Sequence, residues 1–243
     1  MNTIKADIIA QLQKEILSLQ GFKSILHNNV ADIALGPITN AFPNATFPFG
    51  AIHEFIGSTT EDVTSAAGFI AGIIGLLIRD RGACVWINSS QTIFPPALAS
   101  FGIEPDKIIF VELKKEKEIL WAIEEALKCD GLAAVVGELP QLSFTASRRF
   151  QLAVEQSGVT GFIFNKSSKE LSTTASIARW KISSLPGILP DDIPGIGFSC
   201  WNVELLKARN GKPGNWQLKY ENGKFLPLLP PVSMISVLKK KTG

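Results

Sequence analysis

The sequence predicts a three-layer α/β fold, with a central, mostly parallel sheet covered by helices and a small antiparallel extension. Three observations predict it. From Ala51 to Asn165, short and nearly uniformly apolar segments alternate with helical patterns, and strands without polar alternation are strands buried on both faces. After Lys166 the helical patterns stop and three more strand-like segments follow, two of them joined by a loop of turn-forming residues. The length, 243 residues with 46% hydrophobic and 19% charged, suits one core near the upper size of a single domain and excludes a disordered chain.

Each element has its own warrant. Ile4, Ile8, Leu12, Ile16 and Leu19 recur at helical spacing, so residues 3–20 predict an amphipathic helix that ends at Gly21. This helix is expected to dock on the sheet domain or on another protein. Residues 28–50, with Asn, Pro, Gly and scattered Phe, predict an irregular arm lying on the core without forming it. Ala51–Ile56 reads as a strand, Asp62–Arg79 as a helix, Ala83–Asn88 as a strand, Pro95–Phe101 as a short helix and Ile108–Leu113 as a strand. Glu116–Lys128 is an amphipathic helix, Leu132–Val136 a strand, Ser143–Ser157 a helix and Thr160–Asn165 a strand. Ser176–Ser183, Phe198–Lys207 and Trp216–Tyr220 are the strands of the extension. The division is therefore a helix and arm at 1–50, a core at 51–225 and a proline-rich, basic tail at 226–243, ending in Lys239, Lys240 and Lys241.

Composition narrows the function. With 24 Lys plus Arg against 22 Asp plus Glu, no global field attracts nucleic acid. Arg148, Arg149 and the lysine tail are the visible candidates for DNA contact, which is expected to be weak or indirect. The three cysteines stand far apart with no CxxC and no Cys/His cluster, so neither a disulfide framework nor a metal site is expected. The uncharged run from Val63 to Ile78 is shorter than the roughly 20 residues that span a bilayer. No membrane role and a cytoplasmic location are the resulting expectations.

In α/β sheets ligands gather at the carboxyl ends of the strands, so the turn after the first strand matters most. It reads Gly57-Ser-Thr-Thr-Glu-Asp62-Val63-Thr64. A phosphate-binding GxxxxGK[ST] loop needs glycines for its backbone curl, a lysine for charge and a hydroxyl for magnesium. Gly57 and Thr64 stand in place, but Asp62 replaces the second glycine and Val63 the lysine. A carboxylate there repels phosphate. The plainer reading is a helix N-terminus capped by Thr59 or Thr60, with acidic residues at the positive end of the dipole.

The stretch from Ala51 to Arg209, roughly two thirds of the chain, resembles the RecA-like ATPase core, and is particularly similar to the ImuA family. FIGSTTEDVT matches strand and P-loop, WINSSQTIFPPALASFGIEPDKIIFVEL the second and third strands, EILWAIEEALKCDGLAAVVGEL the helix leading into the Walker B strand, and SRRFQLAVEQSGVTGFIFN the next helix–strand unit. Arg148-Arg149 followed by Leu152 is a pattern of the ImuA family. VELLKARNGKPG resembles the loop whose cations reach a neighbouring subunit's nucleotide, here Lys207 and Arg209. On this likeness the catalytic glutamate aligns with Ser90 and the Walker B aspartate with Gly137, beside Glu138. Phosphate neutralisation, water activation and magnesium positioning are then all missing. The resemblance implies a three-layer RecA-like P-loop fold carrying a degenerate site, with no cofactor and no catalysis. It implies an adaptor in inducible DNA repair and error-prone translesion synthesis, partnered by an ImuB-like polymerase-like protein, an error-prone replicative-type DNA polymerase and RecA. Two alternatives stand beside it: a SulA-like division inhibitor that binds FtsZ, and a residual ATPase using Glu138 and the two carboxylates of the loop, Glu61 and Asp62.

Overall fold

The computed structural model describes residues 34–79, 82–90, 93–166, 172–188 and 197–228. The predicted N-terminal helix and the lysine tail lie outside them. Nine strands form one sheet: β1 (Ile52–Ile56), β2 (Ala83–Asn88), β3 (Ile108–Glu112), β4 (Leu132–Leu139), β5 (Thr160–Asn165), β6 (Ala178–Ile188), β7 (Phe198–Ala208), β8 (Gly214–Glu221) and β9 (Lys224–Pro227). Their order is β3-β2-β4-β5-β1-β6-β7-β8-β9. All pairings from β3 through β6 are parallel, and those from β6 to β9 are antiparallel.

Among the described residues three α-helices cover the sheet: α1 (Thr60–Leu77), α2 (Glu116–Leu127) and α3 (Phe144–Ser157). The core divides accordingly. On one face α1 meets Phe55, Trp86, Phe164, Trp180, Trp201 and Phe225. On the other, α2 and α3 meet Ile52, Val135 and Ile163. Helix α1 is apolar enough by length and composition to cross a membrane, yet Phe69, Ile70, Ile73 and Ile74 are fully buried within the fold, as a central helix requires. Helix α2 buries Ile119, Ile123 and Leu127 at successive i, i+4 positions. Helix α3 begins at the Ser143 side chain, which accepts from the Ala146 N–H at 3.1 Å, and ends at Gly158 in the left-handed region.

Several boundaries differ from expectation, among them the arm, β4, β9 and the end of β6, which runs past Ser183 to Ile188. The arm does enter the core: Leu35, Ile38 and Phe47 are fully buried against α1 and β6 side chains. Isolated aromatics without periodicity conceal this burial in the sequence. Strand β4 runs on through Leu139, since burial on both faces overrides the weak strand preference of Gly137. Strand β9 carries pairing to Pro227, where an edge position tolerates the missing N–H.

His53 shows how tightly the β1 surroundings are set. Its ring is fully buried and stacks on Phe47 at 4.6 Å between centroids. The Trp180 indole can only donate, and it points at His53 Nδ1 from 3.2 Å. Nδ1 is therefore bare, and Nε2–H donates to the Pro48 carbonyl at 2.9 Å. Burial lowers the His53 pKa to about 4, against a smaller upward pull from the Pro48 bond. Between about 6.5 and about 4 the unfolded chain binds the proton and the native state refuses it, so stability falls as pH drops through this window. The expected loss is about 3 kcal/mol. Urea unfolding at several pH values should show it, and His53→Gln should flatten the slope. An NMR titration midpoint near 6.5 would contradict the assignment.

Candidate functional site

The loop after β1 lies at the carboxyl edge of the parallel strands. Thr59 is the N-cap of α1 and its hydroxyl accepts the Asp62 N–H at 3.0 Å. Asp62 reaches back, and its Oδ2 accepts the N–H groups of Ser58 and Thr59, both at 3.2 Å. This is a capping box. A side chain at Gly57 would overlap Asp62, so the glycine is needed for the aspartate to fold over the loop. Partial burial opposes the charge, but hydrogen bonding to Thr59 and Ser58 and the positive Lys181 outweigh it and hold the carboxyl below its ordinary value. Stability from such a group is present above its unfolded pKa and lost as pH falls through the folded one, so the cap is complete at neutral pH. The backbone N–H groups of Ser58 and Thr59 are thus occupied by the chain's own carboxylate. Val63 is buried in the core, and the Thr64 hydroxyl donates to Thr60 O at 2.8 Å, within its own helix.

The other aligned positions separate by sheet face. Ser90 is exposed just beyond β2. Gly137 faces α2, where any side chain would overlap Ile123. An aspartate at this position would strike the helix and not the loop. Glu138 points to the opposite face, the side of α1. It is buried, accepts Trp86 Nε1–H at 3.3 Å, and pairs with Lys166 Nζ at 2.7 Å.

A buried ionic cluster, unforeseen from the sequence, lies beside the loop on β1 and β6. Glu54 is fully buried in the middle of β1. Its carboxylate accepts Arg179 Nε–H at 2.9 Å, Asn165 Nδ2–H at 2.8 Å and the Thr174 hydroxyl at 2.5 Å. Arg179 also donates to Ser172 O at 2.6 Å. Lys207 and Arg209 join this cluster: Lys207 Nζ donates to Thr174 O and Arg209 Nη2 to Ala175 O, each at 2.8 Å. Burial, then the charges of Arg179 and Arg209, lower the Lys207 pKa, with Glu54 pulling the other way. The turn-forming loop between β7 and β8 therefore does not leave these cations free in solvent. Both cations are half-buried and staple the segment 172–176, and the loop that follows them is itself anchored by Lys212 N–H to Ala41 O at 2.8 Å. The signal for the cluster was the glutamate in IHEFI, since a charge in a strand buried on both faces must have a partner.

Arg148 and Arg149 are both exposed on α3. Arg149 forms an ion pair with Glu124 of α2, so the structure does not bring the two arginines to the loop or to the ionic cluster. Among the described residues no group of three His, Cys, Asp or Glu side chains could hold a metal ion.

Three variants test these assignments. Arg179→Ala strands a buried carboxylate and should cost about 3–5 kcal/mol in urea unfolding. Lys207→Ala/Arg209→Ala should cost about 1–3 kcal/mol by the same measurement, where two solvated cations would cost nothing. Gly137→Ala should destabilise by about 1–3 kcal/mol, through overpacking against α2.

Comparisons with known proteins follow from this geometry. No protein-family model matches the chain. A structural likeness to SulA from Pseudomonas aeruginosa has a TM-score of 0.40 at 19% identity, covering 47% of this chain and 96% of that one. Protein ImuA of Caulobacter vibrioides, strain NA1000 / CB15N, is 36% identical over 214 residues, 83% of this chain and 86% of that protein. Protein ImuA of strain ATCC 19089 / CIP 103742 / CB 15 matches to the same extent. Identity at that level extends over most of both chains and is not confined to one motif. The chain belongs to the ImuA family.

Proposed function

We propose that this protein is a non-catalytic, RecA-like adaptor in inducible DNA repair and error-prone translesion synthesis, acting in the cytoplasm through protein–protein contacts. Its partners on this reading are an ImuB-like polymerase-like protein, an error-prone replicative-type DNA polymerase and RecA. Family membership supplies the biological setting. The observation that supports the non-catalytic part is the Asp62 carboxylate on the N–H groups of Ser58 and Thr59. For phosphate to enter, that carboxylate would have to leave, breaking half of a capping box and exchanging one anion for another. The position of the P-loop lysine is taken by the buried Val63, and the nearby Lys181 already acts on the Asp62 carboxylate. Ser90 offers a hydroxyl where water activation needs a base. Glu138, the acid available to a residual ATPase, is already committed to Trp86 and Lys166.

No specific contact favours the division-inhibitor alternative. Calorimetry with magnesium-ATP should show no binding at micromolar concentrations, and no phosphate should be released. Micromolar affinity, or turnover abolished by Glu138→Ala, would overturn the non-catalytic reading. Co-expression with the polymerase-like partner should yield a complex that survives size-exclusion chromatography, and its absence would overturn the adaptor reading.

A further inference from the structure

A groove of about 530 Å³ opens beside the first half of α1, bounded by residues 93–101 and by the paired ends of β6 and β7. Val63, Phe94, Phe101, Leu185, Phe198 and Trp201 are among its walls, and no charged side chain lines it. Three of its polar side chains are spent within the chain. The Thr64 hydroxyl donates to Thr60 O, the Ser184 hydroxyl to Glu61 at 2.7 Å, and the Cys200 thiol to the Phe198 carbonyl at 3.4 Å. Water against such walls finds few partners, and a phosphate finds no cation. The groove suits an apolar occupant.

The sequence supplies one close by. Ile4, Ile8, Leu12, Ile16 and Leu19 form a stripe on the helix predicted over residues 3–20, and such a stripe needs a surface to cover it. The described residues begin near the groove. Leu35 and Phe225 share one core, and a side chain at Gly36 would overlap the Phe225 carbonyl. The Phe225 ring lies 6.0 Å from that of Trp201 in the groove wall. Residues 22–33 extend up to about 40 Å, so the stripe reaches the groove of its own molecule. A tether this short holds it there at a roughly millimolar effective concentration, above that of a second copy in dilute solution. We propose that the groove is the docking site of the N-terminal helix of the same chain, with the stripe seated along Phe94, Leu185 and Trp201. The proposal is independent of the adaptor reading. While docked, stripe and groove cover each other, and neither is open to a partner. Two other stretches of the sequence fit less well. Residues 189–196, which join two parts of the groove wall, read LPDDIPGI, where two prolines and two aspartates interrupt the apolar positions. The apolar run at residues 232–238 is under two helical turns long.

The test uses the full chain with photoreactive p-benzoylphenylalanine in place of Leu12 or, separately, of Ile16, irradiated in dilute solution. Cross-links should form within the monomer and map to residues 93–101, 184–187 or 197–201. The same probe in place of Lys14, on the far side of the predicted helix, should not mark these residues. Phe94→Glu sets a charge against the stripe and should remove about half or more of the cross-linked product. Phe94 is 71% exposed, so the variant should keep the far-ultraviolet circular dichroism of the wild type, which separates lost docking from lost folding. Cross-links elsewhere on the same chain, an unchanged yield with Phe94→Glu, or no intramolecular product overturns the proposal. A covalent dimer in place of the monomer product also overturns it and gives the groove to a second copy. A cross-link to the co-expressed polymerase-like partner in place of the intramolecular one overturns it as well, and gives the stripe to the adaptor function.

Discussion

Glu54 cannot be buried in β1 without Arg179 of β6, and much of the molecule is arranged around that requirement. The two residues are paired directly across the parallel β1–β6 ladder. One position earlier on β1, His53 needs Trp180 from the same neighbour on the opposite face. Side chains alternate along a strand, so a slip of one residue would send both partners to the wrong sides of the sheet. Burying a carboxylate and an imidazole next to each other therefore specifies a single register at the seam between the parallel and antiparallel halves. Buried ion pairs contribute little net stability compared with apolar replacements, but they penalise wrong pairings heavily.

That seam also sets what the neighbouring loop can do. The cations gathered near Glu54 are consumed by carbonyls of residues 172–176, and the aspartate above β1 is consumed by its own helix terminus. Groups that look chemically available in a sequence are saturated by short-range partners in the fold. Among the described residues, the large apolar side chains left most exposed are elsewhere, at Phe94, Trp121 and Phe144.

The parallel strands were legible because burial on both faces leaves continuous apolar runs, and α2 and α3 because their stripes follow a helical period; α1, buried all round from Phe69 to Leu76, was marked by its polar capping turn. The ends of β4, β6 and β9 were less so. Gly137, Pro186 and Pro227 have poor strand preference, and only pairing across the sheet overrides it. At the site, the replacement of lysine by Val63 could be read directly and the cap could be narrowed to Thr59 or Thr60, of which the structure uses Thr59. The inward turn of Lys207 and Arg209 could not, since their acceptors are backbone carbonyls 33 and 34 residues away. Side-chain identity carries no trace of such a partner. Glu54 was visible as an anomaly, and its partners were not.

The arm carries a consequence for how the chain is made. Residues 34–50 emerge early, but their resting place includes Ala41 against the β7–β8 loop and Gly36 against the Phe225 carbonyl. At ribosomal speeds of about 5–20 residues per second, roughly 10–30 s separate synthesis of Ala41 from that of Lys212. Throughout that interval Leu35, Ile38, Phe42 and Phe47 lack part of their final surroundings. A nascent chain of this kind depends on holding chaperones more than its finished stability suggests, and a ribosome that stops short of β9 releases a product with its first apolar segment still unsheltered.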